Sequence, residues 1–448
     1  MAKLTKIIPL LALAGILFLS GVIMIKTADQ DAPVAAEPAQ IASGYAALWL
    51  QDYRIGIEKP PLGKILTAIP LLWNKVKFPN QNINWEKDIN NSEEVSKNFL
   101  YESGNSPDNI IDQTRWVTIF FSLAFIALIY FFSRNLIGNW WALLPAFLFG
   151  LSPTLLAHGH YATGDILTAL TIGLSIISFT AFLDRPSKKR FFLAGLAFGA
   201  AQASSFSALT LIPYFALLTA VFYCNQVRQD WPITPRENRA EIFTKRALKY
   251  FRMILGVFLV GYLLVFAIYF DATLNYPVNK QQSDTEFLLF SAKPAWLSST
   301  VQQLSGIPVA RSIGHYLLGA MVSGQEQASS KLPVLFLLKE PVASLLLILF
   351  AVVLAIWNLI RGIGRVIRTR TREFSGYLST NFTEFSLLIF IILYAGWAVF
   401  FTPGAGLRGL LPILPFIYIL TAGEIKKWFH ANPIEPDKNW VIRIFIVY

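Results

Sequence analysis

Glu37-Pro-Ala-Gln-Ile-Ala-Ser-Gly-Tyr45, followed by Asp52-Tyr-Arg54 and Glu58-Lys-Pro-Pro-Leu-Gly-Lys64, is a polar stretch placed directly after the first apolar run of the chain. Ile41, Tyr45, Leu48, Trp49 and Tyr53 recur in it at helical spacing, one apolar stripe on an otherwise polar helix. The Pro60-Pro61 pair stops that pattern, and a second helix begins with Leu62, Ile65, Leu66, Ile69, Leu72 and Trp73 on one face. Two short amphipathic helices beside a membrane span, with carboxylates on the polar side, describe a platform lying in the lipid–water interface. The rest of the chain reads as a scaffold that holds this platform.

That scaffold is apolar. Of 448 residues 54% are hydrophobic and 15% charged, and runs of about 20 apolar residues recur, each able to cross roughly 30 Å of hydrocarbon. The expected class is therefore an all-α polytopic membrane protein. The net charge of +11 does not point to nucleic acid, because the basic residues cluster in short loops between spans and leave no contiguous basic face outside the membrane. The lone Cys224 cannot form an internal disulfide and says nothing about redox compartment.

The first span is predicted at 7–25, as an uncleaved helix whose apolar run exceeds a signal-peptide core. Further spans are predicted at 116–133, 140–157, 165–183, 190–204, 206–224, 251–270, 341–359, 385–402 and 407–423. An apolar run from Trp440 to Tyr448 reads as the start of an eleventh span, cut short or only partly present. Arg185 to Arg190, Arg228 to Arg252, Arg361 to Arg372 and Lys426-Lys427 are basic clusters. With ten spans and a cytoplasmic N-terminus, all four fall on the cytoplasmic side. The two long polar segments, 26–115 and 271–332, then both fall outside. One membrane domain is expected over 1–425, with 426–448 as a cytoplasmic segment.

Several charged residues collect at the external ends of spans. Asp165 closes the loop His158-Gly-His-Tyr-Ala-Thr-Gly-Asp165 and opens an apolar helix, where a carboxylate either serves chemistry or complements the helix dipole. His158, His160 and Asp165 also make a candidate ligand set for a divalent cation. Arg115, Lys339 and Arg408 each open a span on the outer side, as anchors of helix ends or as a clamp for a lipid phosphate. Glu37 and Glu58 are the platform acids, with Asp29 and Asp31 the nearest other carboxylates. A transporter would instead carry charges at mid-membrane on broken helices.

With these residues placed, the chain resembles the dolichyl-phosphate-mannose–protein mannosyltransferase-like superfamily, the GT-C glycosyltransferases that use polyprenyl-phosphate sugars. It is most similar to the bacterial phospholipid-carrier-dependent glycosyltransferases, over about 26 to 425. Glu37 to Tyr45 looks like the first-loop motif of the family, and Glu58 to Lys64 like its Glu-His-Pro-Pro-Leu-x-Lys. Leu156 to Asp165 is similar to the loop ending in the second acidic residue, and Phe336-Leu-Leu-Lys-Glu-Pro341 and Gly406-Leu-Arg-Gly-Leu-Leu-Pro412 look like two late signatures. The sequence departs from the family at Ala36, where the motif has its first Asp, and at Gln40 and Lys59, where it has His. It departs again at Ser205, where the family has Lys, and at Gly409 after Arg408.

The resemblance implies a GT-C-like bundle of about 10–11 transmembrane helices with interfacial amphipathic helices in the first external loop. It implies transfer of a sugar, with inversion, from a polyprenyl-phosphate-linked donor to a protein, glycan or lipid acceptor on the external face of a bacterial cytoplasmic (inner) membrane. Glu37 is then expected to act as the acceptor-side acid or base, with Asp165 assisting. Arg408 and Lys339 would bind the lipid phosphate, with Arg115, Glu58, Lys64 and His158 completing the substrate side and Glu58 and Arg115 orienting the platform. The alternative reading is a catalytically degenerate homologue that binds or assembles lipid-linked glycans, because Ala36 removes the acid of the motif.

Overall fold

The computed structural model describes residues 4–56, 59–74, 76–79, 92–281, 315–317, 320–322, 332–369, 376, 378, 380–401 and 403–431. Among these, seven helices are long and apolar enough to cross a membrane. The first is α1 (Leu4–Gln30). The first loop then supplies α2 (Ala36–Tyr45), α3 (Leu62–Ala68) and α4 (Ser92–Lys97). The bundle continues with α5 (Pro107–Ile137), α6 (Leu143–Gly150), α7 (Pro153–His158), α8 (Asp165–Asp184), α9 (Lys188–Gln202), α10 (Leu211–Asp230) and α11 (Arg239–Ala272). It closes with α12 (Leu332–Lys339), α13 (Val342–Thr369), α14 (Phe382–Phe401) and α15 (Leu414–Ala431). Between α11 and α12 lies an antiparallel hairpin of two three-residue strands, β1 (His315–Leu317) and β2 (Ala320–Val322), in the register His315↔Val322. The sequence reading assigned no strand there.

Three segments read as spans are helical but shorter. The 140–157 run breaks at Leu151-Ser152, and Pro153 restarts it as α7, where a missing N–H costs nothing. Helix α9 has 15 residues and α15 has 18, so each rises less than the longer helices they pack on. Gly195 and Gly199 on α9 let α11 approach closely: a Cβ at Gly199 would sit 2.6 Å from the Gly261 carbonyl oxygen. Small residues four apart are how membrane helices gain dispersion contact where burial against lipid tails gives no driving force. The main core runs through α5, α6, α8, α10, α14 and α15, with Phe125, Phe149, Phe179, Phe215, Phe390 and Phe416 fully buried in it.

The first loop packs around a core of its own. Ile41 and Tyr45 of α2 meet Ala68 and Leu71, Phe99 and Leu100, and Ile110 and Ile111 of α5, with Ala162 from the α7–α8 loop closing the cluster. Gly44 is required by that packing: a Cβ there would fall 2.2 Å from the Lys64 carbonyl oxygen, so α2 and α3 touch through backbone. The predicted first stripe holds only in part. The helical run ends at Leu50, where Gln51 takes a positive φ of 54°, Trp49 is exposed, and Tyr53 turns into a separate contact with Tyr269. The second stripe points away from the protein. Gly63, Lys64, Thr67, Ala68 and Leu71 are buried, whereas Leu72 and Trp73 are exposed and Leu66, Ile69 and Pro70 form a groove with Trp116 and Phe120 of α5. An apolar face turned outward beside a span suits an element seated against lipid.

Candidate functional site

The ends of α1 and α12, the start of α5, the 158–165 loop and the 403–410 segment meet at one end of the bundle. Glu37 and Arg115 hold this end together. Arg115 Nε donates to Glu37 Oε1 at 3.0 Å and Nη2 to Oε2 at 2.8 Å, a bidentate pair. Val34 N–H adds a bond to Oε2 and Ala162 N–H one to Oε1, both at 2.9 Å. The rest of the guanidinium donates to the carbonyls of Ala28, Asp31 and Ala32 at the end of α1. Glu37 is fully buried and each of its oxygens accepts two hydrogen bonds. Through these bonds the carboxylate ties α1, α2, α5 and the 158–165 loop together. Arg115 is buried with it.

Lys64 is a second internal lock. Its ammonium is buried, donates to the Gly56 carbonyl and to Tyr53 Oη (3.1 Å), and lies 4.9 Å from the centre of the Tyr53 ring. Lys64 in this way closes the turn that leads into α3. Glu58 lies outside the described residues.

The partly exposed groups stand on the other side of the clamp. Gly164 takes φ 79°, which ends the loop, and Asp165 opens α8, where the helix N-terminus favours its charge. Thr163 Oγ1 donates to Asp165 Oδ2 at 2.8 Å, and Arg408 Nη1 lies 3.8 Å from the same oxygen. These two side chains, 243 positions apart in the chain, retain 26% and 38% exposure. His158 sits in the same field. Burial pushes its imidazole below the ordinary value; Asp165 opposes that shift and Arg408 and Lys339 add to it. Gln40 closes the floor, its amide nitrogen 2.9 Å from where a Cβ on Gly164 would lie.

Lys339 is held from behind. Glu340 is buried and accepts from Ser152 and Thr154 at the start of α7, at 3.1 and 2.8 Å, and from Tyr418 Oη of α15 at 2.9 Å. Three hydroxyls thereby fix the turn between α12 and α13 and leave Lys339 exposed at its corner. On the opposite side, Ser205 caps the turn before α10, accepting from Ser207 N–H at 3.2 Å. The Leu62 N–H donates to the Ala203 carbonyl of the same turn, which docks it against the first loop.

One of the carboxylates named beside the platform acids has a built environment. Asp31, just past α1, accepts from Tyr161 Oη at 2.6 Å and faces His160 Nε2 at 3.2 Å, while His160 Nδ1 meets the Leu156 carbonyl at 3.0 Å. Both ring nitrogens of His160 are thus occupied, and the imidazole cannot join His158 and Asp165 around a cation. Among the described residues no three His, Cys, Asp or Glu side chains come together as a metal site.

Residues 108–234 match the dolichyl-phosphate-mannose-protein mannosyltransferase family model, a span that holds Arg115, the 158–165 loop and Ser205. An oligosaccharyltransferase of Archaeoglobus fulgidus, in the apo form, has a similar fold, with a TM-score of 0.50 at 11% identity over 94% of this chain. The fold is of the GT-C type. Within that GT-C-type architecture this chain spans about half the length of the oligosaccharyltransferase, 51% of it. A second structure, the archaeal oligosaccharyltransferase AglB of the same organism with an inhibitory peptide and a dolichol-phosphate, matches at a TM-score of 0.45 and 10% identity, over 95% of this chain and 52% of that one. No curated protein matches the sequence.

Proposed function

We propose that this GT-C-type protein is a membrane glycosyltransferase that moves a sugar from a polyprenyl-phosphate carrier to a hydroxyl on the external face, with inversion at the anomeric carbon. The observation that carries the reading is the pairing of Asp165 with Arg408, two partly exposed charges brought together from distant parts of the chain beside Lys339 and His158. The departing lipid phosphate needs fixed positive charge as its bond to the sugar breaks, and Arg408 and Lys339 offer a planar fork and a point charge. The transition state at the sugar is oxocarbenium-like, so a carboxylate at the position of Asp165 lowers its energy and holds Arg408 in place. The buried Glu37–Arg115 clamp serves as a positioning element for the loop that carries Asp165. The basic clusters lie at the far ends of α8, α10, α11 and α15, which supports a cytoplasmic N-terminus and an external site.

The test is transfer or hydrolysis of synthetic polyprenyl-phosphate sugars by the protein in liposomes. Arg408→Ala is expected to lower turnover by about 10²–10³-fold, as loss of one transition-state donor does. Turnover equal to the parent protein would remove Arg408 from the site. A second reading, a binding protein for lipid-linked glycans, is favoured by one observation: Ala36, at the start of α2, lacks the carboxylate of the motif and its neighbour Glu37 is saturated. Tight binding of the donor with no turnover at any pH would select it.

A further inference from the structure

With Glu37 buried and Ala36 without an acid, Asp31 is a first-loop carboxylate that both touches the 158–165 loop and keeps part of its surface exposed. We propose that Asp31 is the acceptor-side base of this protein, oriented by Tyr161 and His160; the inference rests on the transferase reading above. Asp31 Oδ2 takes the hydrogen bonds from Tyr161 and the contact with His160, whereas Oδ1 has no partner among the described residues. The side chain keeps 36% exposure. This is how a base is prepared for work: one oxygen fixed, the other turned to the medium.

Both supporting side chains are themselves fixed. The Leu156 carbonyl can only accept, so His160 donates to it from Nδ1 and turns Nε2 toward Asp31 Oδ2. His160 is fully buried and its ring lies 4.1 Å from that of Tyr161, centre to centre. Arg115 lies 5.3 Å from the centre of the Tyr161 ring on its other side and donates to the Asp31 main-chain carbonyl. The groups around Asp31 are therefore Tyr161 and His160 from the loop and Arg115 of α5, with Glu37 of α2 beyond them and Asp29 exposed on the last turn of α1. The Tyr161 bond and, behind it, His160 and Arg115 hold the Asp31 carboxyl below its ordinary value despite partial burial. The Tyr161 hydroxyl is pushed up to about 12 by burial and by Asp31, so it stays a donor.

The step balances without a co-reactant. The hydroxyl proton of the acceptor passes to Asp31 Oδ1 as its oxygen bonds to the anomeric carbon. The bond from that carbon to the phosphate oxygen breaks, and the electron pair leaves on the lipid phosphate. Asp31 contacts His160 and Tyr161 in the first half of the 158–165 loop, and Asp165 closes that loop.

The experiment uses the full chain in liposomes, with synthetic polyprenyl-phosphate mannose and parallel hexose and pentose donors, and reads free sugar released with water as acceptor. Asp31→Asn is expected to lower release by about 10²-fold or more with donor binding unchanged. His160→Gln removes the imidazole that helps hold the Asp31 carboxyl low, so the acid limb of the rate profile is expected to move to higher pH, a change that loosened packing alone would not give. Full release by Asp31→Asn, alongside an active parent protein, overturns the role of Asp31 and leaves the transferase reading standing. A parent protein that binds donor and releases no sugar overturns both.

Discussion

Arg115→Met tests whether the end of the bundle that carries the site is held by a single buried ion pair. Methionine keeps most of the length of the stem and removes five hydrogen bonds: two to Glu37 and one each to Ala28, Asp31 and Ala32. Glu37 is then a fully buried carboxylate with only the Val34 and Ala162 N–H groups. Breaking one side of a buried pair costs about 3–5 kcal/mol, chiefly because the remaining charge is stranded. The orphaned carbonyls add to this where water does not reach them. In detergent, followed by intrinsic tryptophan fluorescence and by size exclusion after heating, the Tm is expected to fall by about 3–5 °C. The reasoning makes a second demand. In Glu37→Met with Arg115→Met no charge is left behind, so the double variant should be more stable than Arg115→Met alone. A single variant within about 1 kcal/mol of the parent, or a double variant no better than the single, would refute the clamp.

Two other perturbations address the anchors around the site. Glu340→Leu should destabilise by about 3 kcal/mol, since it removes a carboxylate and leaves the Ser152, Thr154 and Tyr418 hydroxyls to find other partners; Tyr418→Phe should cost less, about 1.5–3 kcal/mol, because only one charged bond is lost. Thermal unfolding of the two variants checks both the size and the order. His158 is held below its ordinary value mainly by burial, so the unfolded chain binds its proton first as pH drops. The sign follows: this group lowers stability progressively as pH falls through and below about 6.5, and contributes nothing above that. The Tm of His158→Gln should therefore be less sensitive to pH between 7.5 and 5 than that of the parent, and an unchanged slope would show that His158 stays charged when folded.

The bundle was legible in the sequence because a 20-residue apolar run has few structural outcomes. The breaks were harder. The 140–157 run has the composition of a span, and only Pro153 signalled that α6 and α7 would be separate pieces. In the first loop, periodicity located α2 and α3 but not which face would be covered. Gly44 and Gly63 let α2 and the 158–165 loop press onto the small side of α3, and the larger apolar side was left to the lipid. The burial of charge was not legible for a related reason. Glu37, Arg115 and Lys64 stand at the outer ends of apolar segments, as substrate-binding residues would, and sequence cannot say whether such a side chain turns in or out. Asp31 and Glu340 carried no motif signal beyond the short matches around them, and their partners lie about 130 and 78 to 188 positions away.

The charges at this end of the protein sort by exposure, and that sorting decides what each can do. Glu37, Arg115, Lys64 and Glu340 are nearly or fully buried, and each is met by several fixed partners, as a charge in a low-dielectric setting must be. Such groups cannot take up a proton or a phosphate without giving up a partner, and their stability cost would then be several kcal/mol. Asp31, Asp165 and Arg408 keep a quarter to two fifths of their surface exposed. Change of charge during a reaction can be accommodated only by this second set. The saturated set gives the 158–165 loop, the end of α1 and the α12–α13 turn one geometry, and Asp165 beside Arg408 depends on all three being held at once. A substitution in the buried set should therefore lower Tm and turnover together, whereas one in the exposed set should lower turnover with Tm nearly unchanged.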